Sequence, residues 1–191
     1  PRHEHDACGI GFVASIKGRK SHQHISDALT ILENLEHRGA CGCENNTGDG
    51  AGISFQVPHA FLVSECVQLG IKLPEAGQYG VGMVFFPKGL VEDCKEIFAE
   101  TAEQLGLDIL GYRKVPVNRH GIGDTALSVE PEIEQIFIMR PEHITEDIVF
   151  ERKLFVLRNY ASHTINSIIR KNETGYYIAS LSSQTIVYKL S

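Results

Sequence analysis

The order of apolar and polar residues predicts strands and helices in the first third of the chain. A short run of glycine and apolar residues over 8–16 is typical of a buried strand. Apolar residues then recur at helical spacing over 25–36, and Gly39 follows where a helix C-terminal cap is expected. Alternating apolar residues over 53–57 predict a half-buried strand.

The middle of the chain repeats this order. Residues 79–86 have the composition of a strand, and an apolar stripe over 91–105 predicts a helix that Gly106 ends. Another strand is expected over 134–139, and the longest helix is expected to begin near Thr145. The residues expected on the buried side of that helix are Ile148, Phe150, Leu154, Leu157, Ala161 and Ile165.

Two final strands are predicted over 176–181 and 185–190. The short polar link of residues 182–184 between them is a hairpin signal. Mixed helices and strands, with the last two strands close in sequence, predict an α+β fold of helices packed on largely antiparallel sheets. Because the chain stops on a strand, we expect the fold to be incomplete at its C-terminal end.

Composition and charge exclude several classes of protein. Hydrophobic residues make up 42% of the chain and charged residues 22%, which is typical of a globular protein. The net charge of −6, without a Lys/Arg cluster, argues against a nucleic-acid partner. No apolar run reaches the ~20 residues of a membrane span, and residues 1–7 do not resemble a signal peptide. The cytoplasm is the expected location.

The five cysteines are an odd number in a chain too large to depend on disulfides, so reduced thiols are expected. Cys66 and Cys94 lie in apolar helical patterns, where cysteine usually acts as a small buried hydrophobic residue. Cys8 differs, because it begins the segment Ala7-Cys8-Gly9-Ile10-Gly11-Phe12. A cysteine at a mature N-terminus has a base of its own in the α-amine, and adjacent glycines allow close approach to the backbone. The alternative is a buried strand that simply begins with cysteine.

Two further segments hold candidate site residues. Arg38 and Gly39 end the first predicted helix, where an arginine could bind a carboxylate, although the helix dipole alone also favours basic residues there. Gly48, Asp49 and Gly50 belong to a glycine-rich turn that predicts positive φ or a close neighbour. A phosphate-binding loop would need a Gly-Lys-Ser/Thr ending before a helix, and this turn leads into a strand.

Histidines and cysteines are also dense enough between residues 22 and 43 to suggest a zinc site. The spacing of the two cysteines is tighter than in most zinc sites, and no second pair follows at the distance found in zinc fingers. Surface histidines and free thiols are the simpler interpretation, and no metal is predicted. The five candidate ligands are His22, His24, His37, Cys41 and Cys43.

Together the three segments around Cys8, Arg38 and Gly48 resemble the class II glutamine amidotransferases. The segments 47–52, 73–87 and 180–189 are similar to the glutamate synthase branch of that family. The resemblance implies an N-terminal-nucleophile hydrolase fold, with residues 1–7 as a propeptide-like segment. Residues 8–191 would be the N-terminal portion of a type 2 glutamine amidotransferase domain.

By this resemblance, Cys8 attacks the side-chain amide of L-glutamine, with its own α-amine as base. Arg38 and Gly39 help to shape the site, and the turn of Gly48, Asp49 and Gly50 packs near it. The ammonia then reaches 2-oxoglutarate in a synthase domain that holds FMN and an iron–sulfur cluster. No cofactor is expected in this fragment. A small subunit or ferredoxin would supply electrons.

Two departures from the family predict that these 191 residues are inactive as written. While the Ala7–Cys8 bond is intact, the nitrogen of Cys8 is an amide and cannot act as a base. The Asn-Gly oxyanion hole and the arginine that holds the glutamine carboxylate are also not found before Ser191. The remaining alternative is a structural domain in which Cys8 is inert.

Overall fold

The structure, a computed structural model, describes residues 9–35, 48, 50–169 and 175–190. Within these residues it has five helices and six strands. The helices are α1 (Gln23–Asn34), α2 (His59–Gln68), α3 (Val91–Gln104), α4 (Asp124–Ser128) and α5 (Asp147–Ile168). The strands are β1 (Ala51–Gln56), β2 (Tyr79–Phe86), β3 (Ile109–Lys114), β4 (Glu132–Met139), β5 (Tyr177–Ser182) and β6 (Thr185–Leu190).

The chain divides into two compact units. The first comprises residues 1–53, 119–128 and 189–191, and its described helices are α1 and α4. The second comprises residues 54–118 and 129–188, and it contains α2, α3 and α5. The second unit therefore holds the main hydrophobic core.

A four-stranded sheet in the order β3-β4-β2-β5 forms the centre of the second unit. All three of its strand pairs are antiparallel. Strands β1 and β6 form a separate two-stranded sheet. Helices packed on antiparallel sheets confirm the predicted α+β class.

Strand β2 is buried along its whole length because both faces of the sheet are covered. Val84 and Phe86 lie in one core cluster with the buried residues of α3 and α5. Val81 and Met83 point to the other face and belong to a second cluster with Leu62 and Cys66 of α2. The period of two along the strand thus gives each face its own hydrophobic core.

Most predicted elements are confirmed, with ends that differ by no more than about two residues. The structure adds β3, which the sequence did not predict because Gly111 and two basic residues interrupt its apolar pattern. On α5, five of the six residues expected inside are buried. The prediction for Ile148 was wrong. Ile148 is exposed, because its position lies about 200° around the helix from that of Phe150.

The strand predicted over 8–16 is wrong for its described part. Residues 9–15 adopt no regular secondary structure, and the side chains of Ile10 and Phe12 are 97% and 89% exposed. A strand needs a neighbour for its backbone hydrogen bonds. Among the residues that the structure describes, no strand pairs with this segment.

The predicted hairpin of the last two strands is also wrong. Strand β5 pairs with β2, whereas β6 pairs with β1. Serine side chains support this change of sheet: Ser180 Oγ accepts a hydrogen bond from the Val187 N–H at 3.0 Å, and Ser182 Oγ accepts one from the Gln184 N–H at 3.0 Å. Loop length predicted the hairpin, but the edges available in the fold decided the pairing.

None of the helices in the described part of the chain is long and apolar enough to cross a membrane.

Candidate functional site

Of the predicted site residues, Gly48 and Gly50 lie within the described part of the chain. The others lie outside it: Ala7, Cys8, Arg38, Gly39 and Asp49. The geometry of the site is therefore reported for the segments that adjoin these residues.

The segment next to Cys8 packs closely against α1. A Cβ added at Gly9 would lie 2.9 Å from Leu35 Cδ2, and one added at Gly11 would lie 2.6 Å from Ile31 Cγ2. Both distances are shorter than real Cβ contacts, so a larger residue at either position would require the Leu35 or Ile31 side chain to move. The close approach predicted from the glycines is confirmed, and the neighbour is a helix.

The turn before β1 also has the predicted backbone. Gly50 has a φ of +92°, in the region that side chains other than glycine rarely adopt. Gly48 makes an isolated bridge, and both glycines are exposed. A turn with this conformation brings an exposed backbone segment directly to the start of β1 at Ala51.

Helix α1 ends before the predicted Arg38 segment. Its last residue is Asn34, Leu35 is its C-cap, and the last turn holds no basic residue. The effect of a helix dipole is confined to the terminal turn. His37 and Arg38 lie outside the described residues, so the choice between a site role and a helix-stabilising role stays a prediction.

The zinc alternative involves residues that are mostly outside the described part, namely His37, Cys41 and Cys43. His22 is the exposed N-cap of α1, and His24 lies in its first turn. No three potential ligands come together within residues 9–35, 48, 50–169 and 175–190. The zinc alternative remains untested.

Cys66 and Cys94 are free thiols that are fully buried, as predicted. They belong to different core clusters, on opposite faces of the four-stranded sheet. Burial raises the pKa of the Cys66 thiol, an effect that the charge of Arg113 partly opposes. A buried thiol with a raised pKa is a poor nucleophile, so Cys66 has a packing role.

A buried polar network was not predicted from the sequence. Arg113 on β3 forms an ion pair with Glu65 on α2, and its Nη1 donates a hydrogen bond to Gln135 Oε1 at 3.1 Å. Gln135 Nε2 donates to the Tyr188 hydroxyl at 2.6 Å. The Tyr188 ring stacks on Phe55 of β1, with ring centroids 5.5 Å apart.

This network joins the four-stranded sheet to the two-stranded sheet through side chains. The sequence did not indicate it because its hydrogen-bonded members are 22, 48 and 53 positions apart. Both terminal nitrogens of Arg113 bind protein partners, so we assign the network a structural role.

The comparison with protein families identifies the class. The family model described as "Glutamine amidotransferases class-II" matches residues 8–191. The match begins at Cys8 and covers nearly the whole chain. The chain belongs to the class-II glutamine amidotransferases, which are enzymes.

The relatives narrow the family to one branch. The chain is 42% identical over 198 residues to "Glutamate synthase [NADH]" of Schizosaccharomyces pombe, covering 99% of this chain and 9% of the relative. It is 44% identical over 192 residues to "Glutamate synthase [NADPH] large chain" of Bacillus subtilis, covering 99% and 12%. "Ferredoxin-dependent glutamate synthase, chloroplastic" of Spinacia oleracea is 38% identical over 189 residues, covering 97% and 11%.

These matches confirm the resemblance to the glutamate synthase branch. The chain spans about a tenth of the length of the curated relatives that it matches.

Proposed function

We propose that this chain is the glutaminase part of a glutamate synthase and that Cys8 is its nucleophile. The Cys8 thiolate attacks the side-chain amide carbon of glutamine, and a thioester forms as ammonia leaves. Water then cleaves the thioester and releases glutamate. The α-amine of Cys8 accepts the thiol proton and delivers it to the departing ammonia.

The observation that carries this proposal is the family match beginning at Cys8. The contact between Gly9 and Leu35 supports it. Gly9 is bonded to Cys8, and Arg38 follows Leu35 by three residues, a segment that spans at most about 11 Å. This contact favours a site that includes both the nucleophile and Arg38. The positive φ of Gly50 supports the predicted glycine turn before β1.

The α-amine is free only after residues 1–7 have been removed, which would make the chain as written a precursor. Cleavage of the Ala7–Cys8 bond converts an amide nitrogen into an amine with a pKa of about 7.7–8.0. At pH 7 roughly a tenth to a sixth of such amines are unprotonated and can act as a base.

In the complete enzyme, the ammonia would pass to a synthase domain and react with 2-oxoglutarate. FMN and an iron–sulfur cluster would supply reducing electrons there. We assign both cofactors to that synthase domain. Among the described cysteines, Cys66 and Cys94 lie in separate cores and could not bind one cluster together. The relatives' names include NADH, NADPH and ferredoxin, so the electron donor stays open.

The test measures ammonia and glutamate released from glutamine by the complete gene product. Cys8→Ala should lower the rate by at least about 10³-fold, because the nucleophile is lost. Cys94→Ala is the matched control: it removes a buried thiol, and the folded fraction should keep its activity. Wild-type activity in Cys8→Ala would overturn the proposed nucleophile.

Intact mass measurement of the active protein tests the processing. The active form should begin at Cys8. Full activity in protein that retains residues 1–7 would refute the need for a free α-amine.

A further inference from the structure

Helix α5 has two apolar sides, and only one of them is buried in the core. Phe150, Leu154 and Leu157 are on the buried side and contact the main core cluster. The outward side carries five large apolar residues that are 40% to 63% exposed. This α5 stripe consists of Ile148, Val149, Phe155, Val156 and Tyr160.

The α5 stripe is continuous along the helix. Val149, Val156 and Tyr160 have the spacing of one helical face, and Ile148 and Phe155 form an adjacent row. At a rise of 1.5 Å per residue the stripe extends about 18 Å. Single exposed apolar residues are common on protein surfaces, but a continuous group of this size is typical of an interaction site.

A recess adjoins the N-terminal end of the stripe. It has a volume of about 300 Å³, and its lining includes Glu146, Val149 and Lys153. Val149 belongs both to the recess and to the stripe. A partner could therefore place one side chain in the recess while the rest of its surface covers the stripe.

Charges at the stripe limit the nature of the partner. Arg152 and Lys153 lie between its two halves, and residues 152–169 include no acidic residue. Of the carboxylates at the N-terminal end, Asp147 pairs with Arg140 and Glu151 accepts hydrogen bonds from Ser183. Glu146 lies in the lining of the recess. A second copy in twofold contact about the stripe's centre would bring the two Arg152 residues within about 6 Å along the axis. Like charges placed so closely oppose association, whereas a partner with carboxylates would be attracted.

We propose that the α5 stripe is the surface on which another part of the same glutamate synthase chain, outside residues 1–191, packs. That part presents apolar side chains to the stripe and carboxylates to Arg152 and Lys153. This inference rests on the proposed function, because roughly nine-tenths of each curated relative lies outside the matched region. Interfaces between domains of one chain are typically of moderate size and mixed polarity, as this surface is.

Thiol labelling of the complete gene product tests the contact. Phe155→Cys and Tyr160→Cys each place a thiol in the stripe. Glu100→Cys is the control, because Glu100 is exposed on the outward side of α3. Each alkylation rate is divided by the rate for the same variant unfolded in denaturant.

We expect both stripe thiols to react at least about ten-fold more slowly than the control thiol, although Phe155 and Tyr160 are exposed in residues 1–191. Rates equal to that of the control would overturn the docking surface. If the protein forms a dimer, and dilution removes both the dimer and the protection of the thiols, the stripe binds a second copy. That result would also overturn the proposal.

Thiol labelling reports contact at the stripe, and the glutaminase assay reports catalysis. The docking surface and the proposed function can therefore be refuted independently. Protected thiols in a protein without glutaminase activity would refute the proposed function. Reactive thiols in an active glutaminase would refute only the docking surface.

Discussion

At the scale of single residues, Gln135 shows how a polar group can be buried without a net penalty. Its side chain is fully buried, its oxygen accepts from Arg113, and its nitrogen donates to Tyr188. Desolvation of an amide is costly unless its hydrogen bonds are replaced. The Arg113 fork and the Tyr188 hydroxyl replace them here.

Tyr188→Phe should destabilise the fold by about 1–2 kcal/mol, because the Gln135 amide would lose its acceptor while remaining buried. Urea unfolding measures the change. Both substitutions are made in residues 1–191. Tyr160→Phe is the control, because its ring is about half exposed there and a change within about 0.5 kcal/mol is expected. Equal effects of the two substitutions would show that the Gln135–Tyr188 bond contributes nothing.

At the scale of elements, the packing of α5 on β2 depends on the absence of a side chain. A Cβ added at Gly80 would lie 2.6 Å from Leu154 Cδ1 and 2.9 Å from Leu154 Cδ2. Leu154 is fully buried within the α5 face, so it has little room to move. Gly80 thus sets how closely the helix can approach the sheet.

Gly80→Ala should cost about 1–3 kcal/mol through overpacking against Leu154. In a Leu154→Ala background the same substitution should cost much less, because the clashing atoms are gone. A double-mutant cycle by chemical denaturation measures this coupling. An additive result would mean that Leu154 does not limit the approach of α5 to β2.

At the scale of the whole molecule, both hydrophobic cores enclose tyrosine hydroxyls. Burial raises the pKa of Tyr79 to about 12, and the pKa values of Tyr112, Tyr176 and Tyr188 are raised for the same leading reason. The unfolded chain ionises these hydroxyls near their ordinary value of 10. Above that pH the unfolded state therefore binds fewer protons than the folded state.

Stability should consequently be constant with respect to these tyrosines below pH 10 and fall as the pH rises toward 12. Tyr79 alone accounts for a loss of about 2–3 kcal/mol across that interval. Urea unfolding at a series of pH values measures it. Tyr79→Phe should make the free energy of unfolding less dependent on pH in this interval, by an amount equivalent to up to about one proton released on unfolding. An unchanged slope of this free energy against pH would contradict the assignment to Tyr79.

Some features of the candidate site could be predicted from the sequence, and others required the structure. The positive φ predicted for Gly50 holds because φ is a local property of the chain. Gly9 and Gly11 have close neighbours as predicted, but that these are Leu35 and Ile31 was decided by tertiary packing. The catalytic role of Cys8 came from its family motif and stays a proposal. The network of Arg113, Gln135 and Tyr188 could not be predicted, because its contacts join strands that are distant in sequence.

The sequence by itself determined the type and order of most elements, the α+β class and the family. Hydrophobic period, glycine positions and family motifs are local properties of the chain, which is why they can be read without coordinates. Tertiary structure alone decided that β5 and β6 join different sheets, that Ile10 and Phe12 are exposed, and that α5 keeps an apolar side outward. These outcomes depend on which other element of the fold covers each surface. A pattern of apolar residues indicates that a surface should be covered, but it does not indicate by which element.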